Sequence, residues 1–530
     1  MSSSVLLYDT TLRDGAQRQG ISFSVADKLR ITKLLADFGI DYIEGGWPSS
    51  NPKDAEYFRR VRDLDLGATK VCAFGATRRM NNGAEHDAQL IGLLEAQTPV
   101  VTIVGKASRL HVEQILRASK QDNLRAIEDS IRLLKREGRE VVFDAEHFFD
   151  GFADDGEYAL ACLQAAESAG ADCLVLCDTN GGSLPETIHT VIESVTRKVK
   201  TAIGIHAHND CELAVANSLA AVLAGARQIQ GTINGIGERC GNANLVSLLP
   251  NLALKMRQPV RAAEKLQELT QVSRQVSEIA NLAPNNFAAY VGHNAFAHKG
   301  GLHAAAVQRL TASYEHIDPA LVGNGREILI SELAGRGNIR LRAEQMGLDI
   351  GEAEQVVTDE IKQAEARGLS LEAADGSFEL IVRRQAPNYQ PPFSVRDLMV
   401  QSLRRTGEHQ KSLATAKVQV DGVETLTAAE ANGPVAAIDL ALRQALKPFY
   451  PCIEDIRLSD YKVRILDPEQ ATAATTRVWI EATVGEQSWC TVGCSENIIE
   501  ASAEALLASL ELFILRLQEK GANYGRINAA

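Results

Sequence analysis

Short apolar runs alternate with longer amphipathic stretches through the first half of the chain, up to about Met256. The short runs are rich in β-branched and aromatic residues, whereas the longer stretches repeat apolar residues at helical spacing. Gly39, Gly138, Gly170 and Gly225 each follow such a stretch, where a helix should end. Helices are predicted, among others, over residues 26–38, 123–137, 158–169 and 213–224. Eight strands are predicted, over residues 5–8, 42–44, 70–74, 100–104, 141–145, 173–177, 202–205 and 228–233.

Eight strands that alternate with helices over about 250 residues are the count of a (β/α)8 TIM barrel. An open, doubly wound sheet is the alternative architecture for the same alternation. It is disfavoured because no dinucleotide-binding glycine fingerprint follows the first strand. We therefore predict an α/β fold in which residues 1–262 form a TIM-barrel catalytic domain.

The pattern changes after the predicted barrel. From about Pro259 to Pro387 it indicates helices without strands, and we assign residues 263–390 to helical linker subdomains that complete the active site. Residues 386–392 are rich in proline and predict a boundary. Residues 391–530 read as an α+β regulatory or dimerisation domain, with a weakly duplicated strand–turn–helix unit. Its strands are predicted over 416–420, 461–466, 477–484 and 489–492, and its helices over 435–446 and 498–518.

Composition narrows the class of protein. A length of 530 residues predicts two or three domains, and 45% hydrophobic with 23% charged residues is typical of soluble proteins. The net charge of −13 argues against nucleic acid and anionic membranes as partners. No apolar run is long enough to span a membrane, and the N-terminus lacks the pattern of a secretion signal. Nine scattered cysteines are predicted to be reduced thiols, so we expect a cytoplasmic enzyme.

Two stretches carry the candidate chemistry, residues 9–17 and residues 205–210. The first places Arg13 beside Asp14 just past a predicted strand. In the second, His206 and His208 alternate along a strand and so point the same way, as two imidazoles must to hold one metal ion. Taken alone, each pattern is commoner as a turn or as ordinary polar residues. The metal interpretation therefore depends on the fold bringing the two stretches together.

A barrel gathers its catalytic groups at the carboxyl ends of its strands, and the polar residues of this chain are placed accordingly. Polar strand ends occur in any barrel, but an arginine, carboxylates, imidazoles and amides from six strands exceed what solvation requires. Beyond the barrel, glycines beside His303 suggest backbone near a ligand, although a loop histidine capping a helix is the plainer interpretation. The strand-end candidates are Arg13, Asp14, Gln17, Glu44, Glu146, His147, Asp178, Thr179, Asn180, His206, His208, Asn209 and residues 234–242, with Gln17 and Glu44 expected at the substrate.

The ordered set of residues 9–17, Glu146, 178–179, His206-x-His208 and 235–242 resembles the DRE-TIM metallolyase superfamily, in its Claisen-condensing branch. That branch includes the 2-isopropylmalate, homocitrate and citramalate synthases. The resemblance covers essentially the whole chain, and the tail looks like the regulatory domain of the leucine-pathway members. Residues 44–48, 143–150, 177–182 and 298–303 look most like the longer type of citramalate synthase.

The resemblance implies roles residue by residue. Arg13 matches the arginine beside the keto oxygen of the substrate, and Ala16 departs from the glutamate of many relatives. The implied metal ligands are Asp14, His206 and His208, with Asn242 as a weaker fourth. Glu146 and Thr179 match positions around the 2-oxo acid. Glu238, His303 and Tyr314 match groups assigned to the acetyl-CoA chemistry.

The activity implied is that of an (R)-citramalate synthase, a metal-dependent condensation of acetyl-CoA with pyruvate and water in isoleucine biosynthesis. The ligand set suits Mn²⁺, Mg²⁺ or Zn²⁺ and does not choose among them. Feedback inhibition by isoleucine at the C-terminal domain is implied, as is a homodimer whose helical segment reaches the partner's barrel.

Other activities remain open at this stage. A 2-isopropylmalate synthase is the main alternative, because one methylene changes discrimination by only about 1–3 kcal/mol. A homocitrate synthase is less favoured, since those enzymes prefer glutamate where Asp14 stands. A lyase of the hydroxymethylglutaryl-CoA type and a catalytically silent amino-acid sensor are further possibilities.

Overall fold

The computed structural model describes residues 4–299, 303, 306, 307, 309–328, 336–403, 411–485 and 487–519. The chain divides into two compact units. The first unit comprises Met1–Phe296 and Ile317–Arg326, and the second comprises Ala297–His316 and Glu327–Ala530.

The first unit is built on eight parallel strands that close into a barrel in chain order. This confirms the predicted (β/α)8 fold. Pairing of β1 with β8, through Leu6 with Gln228 and Asp9 with Gly231, completes the cylinder. The strands are β1 Leu6–Asp9, β2 Tyr42–Gly46, β3 Lys70–Ala76, β4 Val100–Lys106, β5 Glu140–Glu146, β6 Cys173–Asp178, β7 Ala202–Ala207 and β8 Gln228–Gly231.

Helices surround the barrel and begin and end where the local sequence specifies. Ser24 forms a capping box with Asp27 at the start of α1, satisfying backbone N–H groups that the helix leaves unpaired. Gly39, at its end, has a φ of 103°, a conformation that glycine adopts without strain. The helices are α1 Val25–Phe38, α2 Pro52–Val61, α3 Ala88–Glu95, α4 Lys120–Arg136, α5 Phe148–Ser168, α6 Pro185–Thr196, α7 Ala214–Leu223, α8 Leu245–Pro250 and α9 Leu269–Ile279.

Two separate apolar layers hold the first unit together. The larger layer lies between strands and helices and contains buried side chains such as Leu7, Ile43 and Phe143. A smaller cluster of alternate strand residues includes Tyr8, and side chains of this kind fill the interior of a TIM barrel. The barrel therefore presents its chemistry at the strand ends rather than in a pore. The small cluster contains Tyr8, Tyr42, Cys72, Val100, Val142, Cys173, Val175 and Cys177.

The second unit contains a repeated arrangement of three antiparallel strands and a helix. In both copies the first pairing is interrupted two residues into the strand, between Val395 and Asp397 and between Leu458 and Asp460. The structure thus extends the duplication seen in the sequence, adding two strands to the first copy, whereas all three strands of the second copy were predicted. The first copy is Ser394–Leu403, Lys411–Val420, Val423–Ala431 and helix Pro434–Leu446; the second is Arg457–Ile465, Thr476–Val484, Gln487–Ser495 and helix Ile498–Glu519.

Helices Arg336–Gln345, Glu354–Ala366 and Asp375–Arg384 precede the repeats in the second unit. The expectation of helices without strands was wrong in one detail, because Ala297–His298 pairs with Glu327–Ile328. Strands of two residues are too short to leave a periodic signature. None of the nine cysteines, all of which the structure describes, is in a disulfide. In the described part of the chain, no helix has the length and apolar character needed to cross a membrane.

Candidate active site

Asp14, His206 and His208 meet at the carboxyl end of the barrel, and all three are buried. Oδ2 of Asp14 lies 3.2 Å from Nε2 of His206 and 3.8 Å from Nε2 of His208. The two Nε2 atoms are 3.3 Å apart. Three potential ligand atoms therefore converge on one point, although Asp14 and His206 are 192 positions apart in the chain.

A buried chain of hydrogen bonds sets the tautomer of His206. The amide nitrogen of Gln230 donates to Oδ1 of Asp144 over 2.9 Å, so its Oε1 is left to accept from Nδ1–H of His206 at 2.8 Å. Nε2 of His206 then carries a lone pair directed toward the carboxylate of Asp14. Two electron-rich atoms this close require a proton or a cation between them, and such outer partners are typical of metal-binding histidines.

Electrostatics favours the charge states that a metal needs at Asp14 and His208. At His206 burial opposes protonation, but the neighbouring Asp14 raises the pKa of the imidazole, so this position favours a proton or a cation. Burial opposes ionisation of Asp14, but Arg13 and the two imidazoles hold the pKa of this carboxyl well below its usual range. Burial, together with the neighbouring His206, lowers the pKa of His208 to about 4. The site therefore presents an anionic carboxylate and a neutral imidazole at neutral pH. The donor set fits a divalent ion.

Asn242 comes to the same point from the loop after β8. Its Nδ2 donates to Asp14 over 2.9 Å and lies 3.2 Å from Nε2 of His206. Its Oδ1 is buried and has no hydrogen-bond partner among the described residues. Asn242 is therefore a neighbour of the three ligands, with its amide nitrogen toward them.

Arg13 lies beside the metal-binding cluster and is held on two sides. Its Nε donates to Glu44, which is buried and also accepts from the hydroxyl of Tyr8 at 2.8 Å. Tyr8 is 2.6 Å from Thr102 inside the barrel. The guanidinium carbon lies 3.9 Å from the ring centre of Phe74, a stacked cation–π arrangement. Arg13 is thus a fixed positive charge next to the candidate metal ligands.

Two further predicted residues lie on neighbouring strand ends. Glu146 forms an ion pair with Lys106. The hydroxyl oxygen of Thr179 accepts the backbone N–H of His147 over 2.9 Å, and His147 has a left-handed φ of 56°. The ring of His147 stacks on that of His111 at 3.7 Å. The predicted substrate residues Glu146 and Thr179 are therefore linked to this imidazole pair.

The other predicted site residues either have exposed side chains or belong to the second unit. Gln17 lies in a short turn after Asp14 and its side chain is exposed. The carboxylate of Glu238 is 55% exposed and pairs with Arg239 at 3.7 Å. His303 and Tyr314 belong to the second unit, where their rings stack with centres 4.2 Å apart. The first unit therefore assembles the ligands and Arg13, while the histidine–tyrosine pair forms a separate element.

Comparison with known proteins agrees with this layout. Family models match in sequence: "HMGL-like" over residues 4–276, "Homocitrate synthase post-HMGL domain-like" over 290–368 and "LeuA allosteric (dimerisation) domain" over 372–514. A protein of Aquifex aeolicus named (R)-citramalate synthase is 48% identical, over 98% of this chain and 100% of that protein. Its namesake from Synechocystis is 49% identical, over 96% of each.

The chain belongs to the citramalate synthase family. As a member, it is an enzyme of the acyltransferase class. A probable 2-isopropylmalate synthase of Methanopyrus kandleri is 30% identical over 98% of this chain, a more distant relation.

Sequence reasoning missed the side chains that support the site of this citramalate synthase family member. Asp144 and Gln230 orient His206, and Phe74 stacks on Arg13. One signal was available, because Asp144 and Gln230 are polar residues inside buried strands. Residues of that kind need a partner, and across a barrel the partner is another inward-facing residue.

Asp9 supports the turn that carries Arg13 and Asp14. Its carboxylate accepts from the backbone N–H of Thr11 at 3.0 Å and from the Thr11 hydroxyl at 2.7 Å. The same hydroxyl oxygen accepts the N–H of Ile233 at 2.9 Å, which ties the turn to the end of β8. Burial raises the pKa of Asp9 to about 7.

This raised pKa predicts how stability depends on pH. Between about pH 4 and pH 7, Asp9 is ionised in the unfolded chain but protonated in the fold, so stability falls as pH rises. The loss from this group is roughly 4 kcal/mol at most. Asp9→Asn should flatten the pH dependence of the denaturation midpoint between pH 4.5 and 7, measured with chelator present. Equal slopes for the variant and the unaltered chain would contradict this account.

Proposed function

We propose that the chain catalyses the condensation of acetyl-CoA with pyruvate and water to give (R)-citramalate and free CoA. A carbon–carbon bond forms between the acetyl methyl carbon and the keto carbon of pyruvate, and hydrolysis then breaks the thioester. The observation that carries the proposal is the convergence of Asp14, His206 and His208 beside Arg13 in a chain 48% identical to a named (R)-citramalate synthase.

Asp14, His206 and His208 would hold a divalent ion, with Asn242 as a weaker fourth ligand after its amide turns. Such an ion supplies Lewis-acid polarisation of the keto group. Mn²⁺, Mg²⁺ and Zn²⁺ all suit one carboxylate and two imidazoles. Adding each ion to the metal-free protein would identify the one that the enzyme uses.

Arg13 would stabilise the negative charge that develops on the keto oxygen. Its guanidinium remains charged, because Glu44 and Asp14 raise its pKa further even though burial opposes this. Glu44 and Phe74 hold it in place before substrate arrives. A preorganised donor of this kind contributes about 3 kcal/mol or more to transition-state stabilisation.

Thr179, Glu146 and Glu44 would surround the 2-oxo acid, with Gln17 near them. Because the oxygen of Thr179 already accepts from His147, its own O–H can donate to the substrate carboxylate. The aromatic ring of Phe74, which stacks on Arg13, would form a bulky wall that suits the methyl group of pyruvate better than a branched chain.

His303 would remove a proton from the acetyl methyl group, since a neutral imidazole is the usual base near pH 7. Tyr314 stacks on this imidazole and would orient it. Glu238 would act together with His303 and Tyr314 at the thioester group of acetyl-CoA. His303 thus holds the proton taken from the methyl group, and the resulting enolate carbon attacks the keto carbon of pyruvate.

Release of the CoA thiol with a panel of 2-oxo acids tests this proposal. Pyruvate, 2-oxobutyrate, 2-oxoisovalerate and 2-oxoglutarate are each supplied with acetyl-CoA and added Mn²⁺. Pyruvate should give the highest kcat/KM, and chelator should abolish the reaction. Preference for 2-oxoisovalerate would assign the chain to 2-isopropylmalate synthesis instead. Thiol release independent of any 2-oxo acid would contradict a synthase altogether.

Arg13→Lys should lower kcat by about 10²–10³-fold while metal content is kept. A lysine ammonium is a point charge, so it cannot pair with Glu44, stack on Phe74 and face the keto oxygen together. Steady-state kinetics with pyruvate and metal analysis check this. Arg197→Lys, at the exposed residue that caps the C-terminal end of α6, is the matched control. A kcat within twofold of the unaltered chain would refute the role of Arg13.

The second unit would serve regulation. The match of residues 372–514 to an allosteric, dimerisation domain supports a homodimer inhibited by isoleucine. The helical segment of one subunit would complete the barrel site of the other. The net charge of −13 supports neither nucleic acid nor membrane as a partner, and a cytoplasmic location is in keeping with the free thiols.

Isoleucine should inhibit the full-length enzyme and slow hydrogen exchange within residues 391–519. Binding stabilises the region that it contacts, so local opening becomes rarer there. Steady-state kinetics combined with exchange mass spectrometry measure both effects, with leucine and valine as controls. Full activity in excess isoleucine, or protection confined to the barrel, would count against this regulation.

A further inference from the structure

A buried ion pair lies behind the carboxyl end of β2, outside the candidate active site. It joins Lys28, on α1, to Asp54, in the first turn of α2. The two side chains are only 3% and 9% exposed. Taking two charges out of water costs free energy that their attraction often does not return, so apolar side chains of similar shape would hold the two helices together equally well. The ion pair therefore needs a role beyond packing.

Both charged groups bind the backbone of β2. Nζ of Lys28 donates to the carbonyl oxygen of Gly45 at 2.9 Å. Oδ2 of Asp54 accepts the N–H of Trp47 at 3.0 Å. Gly46 lies between these two contacts and has a φ of 139°. A Cβ atom at Gly46 would lie 2.5 Å from Oδ2 of Asp54 and 2.9 Å from Nζ of Lys28, so the ion pair fits only around a glycine.

These contacts hold a β-bulge in place. Glu44 pairs with Cys72 of β3, and Gly46 pairs with the next residue of β3, Ala73. Gly45 is therefore the extra residue on β2. A bulge bends its strand and changes the direction of the side chains around it, often next to an active site. The ion pair thus sets the direction in which the end of β2 leaves the barrel.

The residues on either side of the bulge reach Arg13 by two routes. Glu44, before the bulge, is buried and accepts a hydrogen bond from Nε of Arg13. Trp47, after the bulge, packs edge-on against Phe74, with ring centres 5.5 Å apart and planes at 80°. Phe74 in turn stacks on the guanidinium of Arg13. A shift of the bulge would therefore move Trp47 and, through it, the ring of Phe74.

We propose that Lys28 and Asp54 are positioning residues for substrate selection. They fix the bulge of β2, so that Trp47 holds Phe74 where its ring limits the side chain of the 2-oxo acid to a methyl group. The inference rests on the proposed function, which makes pyruvate the substrate and Phe74 the wall beside it. Because the ion pair acts through the backbone of β2, its effect is on which 2-oxo acid fits.

The test compares pyruvate with 2-oxobutyrate, which is longer by one methylene group. The measured quantity is the ratio of kcat/KM for the two acids, each supplied with acetyl-CoA and Mn²⁺. The double variant Lys28→Met/Asp54→Leu removes both charges and keeps side chains of similar shape, but it leaves the bulge without its two backbone contacts. The ratio in favour of pyruvate should fall about tenfold, a discrimination that one methylene group sustains in an apolar pocket.

The double variant Asp41→Leu/Arg261→Met is the matched control. Nε of Arg261 lies 3.2 Å from Oδ1 of Asp41, and Oδ2 of Asp41 accepts the N–H of Leu7 over 2.9 Å. This control removes an ion pair at the opposite, amino end of β2, since Asp41 directly precedes that strand. The ratio of kcat/KM should stay as in the unaltered chain.

The single variant Asp54→Asn provides a milder change if the double variant does not fold. Its side chain keeps the shape of aspartate, but its amide can keep only one of the two oxygen contacts. The ratio should therefore fall about threefold. Circular dichroism and metal analysis establish that each variant is folded and loaded.

The outcomes separate this inference from the proposed function. A ratio within about twofold of the unaltered chain in folded Lys28→Met/Asp54→Leu, or an unchanged ratio in Asp54→Asn, would overturn the positioning role. An equal loss of kcat/KM with both acids would show that the ion pair serves stability alone, and would overturn it as well. Absence of pyruvate-dependent turnover in the unaltered chain would instead contradict the proposed function.

Discussion

His208→Ala should abolish metal binding and lower turnover by about 10³-fold or more. Its Nε2 lies 3.3 Å from Nε2 of His206 and 3.8 Å from Asp14, so it supplies one of three ligand atoms. Loss of one ligand leaves two groups that hold a divalent ion weakly, and Lewis-acid stabilisation of several kcal/mol disappears with the ion. Bound metal is measured by mass spectrometry after dialysis, and turnover by pyruvate-dependent thiol release.

His208 is suited to this test because its replacement does not disturb the residues that orient His206. Its Nδ1 makes no hydrogen bond with the described residues, so alanine breaks none of the contacts that orient His206. His189→Ala, on helix α6, is the matched control for removal of a partly buried imidazole from the same barrel. Full metal content together with normal turnover in His208→Ala would show that the cluster is not a metal site.

His303→Ala should lower kcat by about 10²–10⁴-fold while metal content stays unchanged. The proposed role of His303 is proton removal from the acetyl group, and a positioned base contributes an effect of that size. Its imidazole stacks on Tyr314 in the second unit, away from the ligand set in sequence and in domain. Exchange of acetyl-CoA methyl protons with deuterated water should fall in parallel. His86→Ala, at an exposed position, controls for loss of an imidazole.

A mixture of the two inactive variants tests whether the histidine acts across a dimer. His208→Ala retains an intact His303, and His303→Ala retains an intact barrel. If each helical segment serves the partner's barrel, mixed dimers contain one complete site and activity returns on mixing. If the segment serves its own barrel, every site in the mixture lacks one group and the mixture stays inactive. The first result would support the exchanged arrangement and the second would exclude it.

The barrel was predictable because its signals are local. Buried strands of a parallel sheet are short apolar runs, and Gly39, Gly138, Gly170 and Gly225 all have the left-handed φ expected at helix ends. Helix α5 begins ten residues before the predicted start at 158. The backbone is non-helical at Asp155, so the apolar pattern reports only the part beyond this kink.

The two edge strands of the first copy in the second unit were not predicted, for the opposite reason. Val423–Ala431 is mostly exposed or half-buried, with few apolar residues to mark a period. Residues 394–402 are likewise half-buried or exposed. Such strands are specified by pairing with a neighbour rather than by burial, and pairing leaves little trace in one sequence.

The metal ligands could be nominated from sequence, whereas their support could not. His206 and His208 share a strand face, which is a local property. The bond from Gln230 to Asp144 joins residues 86 positions apart and depends on which side chains the closed barrel directs inward. The stacking of Phe74 on Arg13 arises in the same way, from a tertiary contact between distant segments.

The central claim is that the chain joins acetyl-CoA and pyruvate at a metal site, and analysis of the product tests it most directly. Carbon-13-labelled pyruvate is incubated with acetyl-CoA, Mn²⁺ and the full-length enzyme, and the product is resolved by chiral chromatography with mass detection. We expect labelled (R)-citramalate, formed in equal amount to the CoA released and absent in His208→Ala. CoA release without labelled citramalate, or citramalate formed equally well by His208→Ala, would contradict the account.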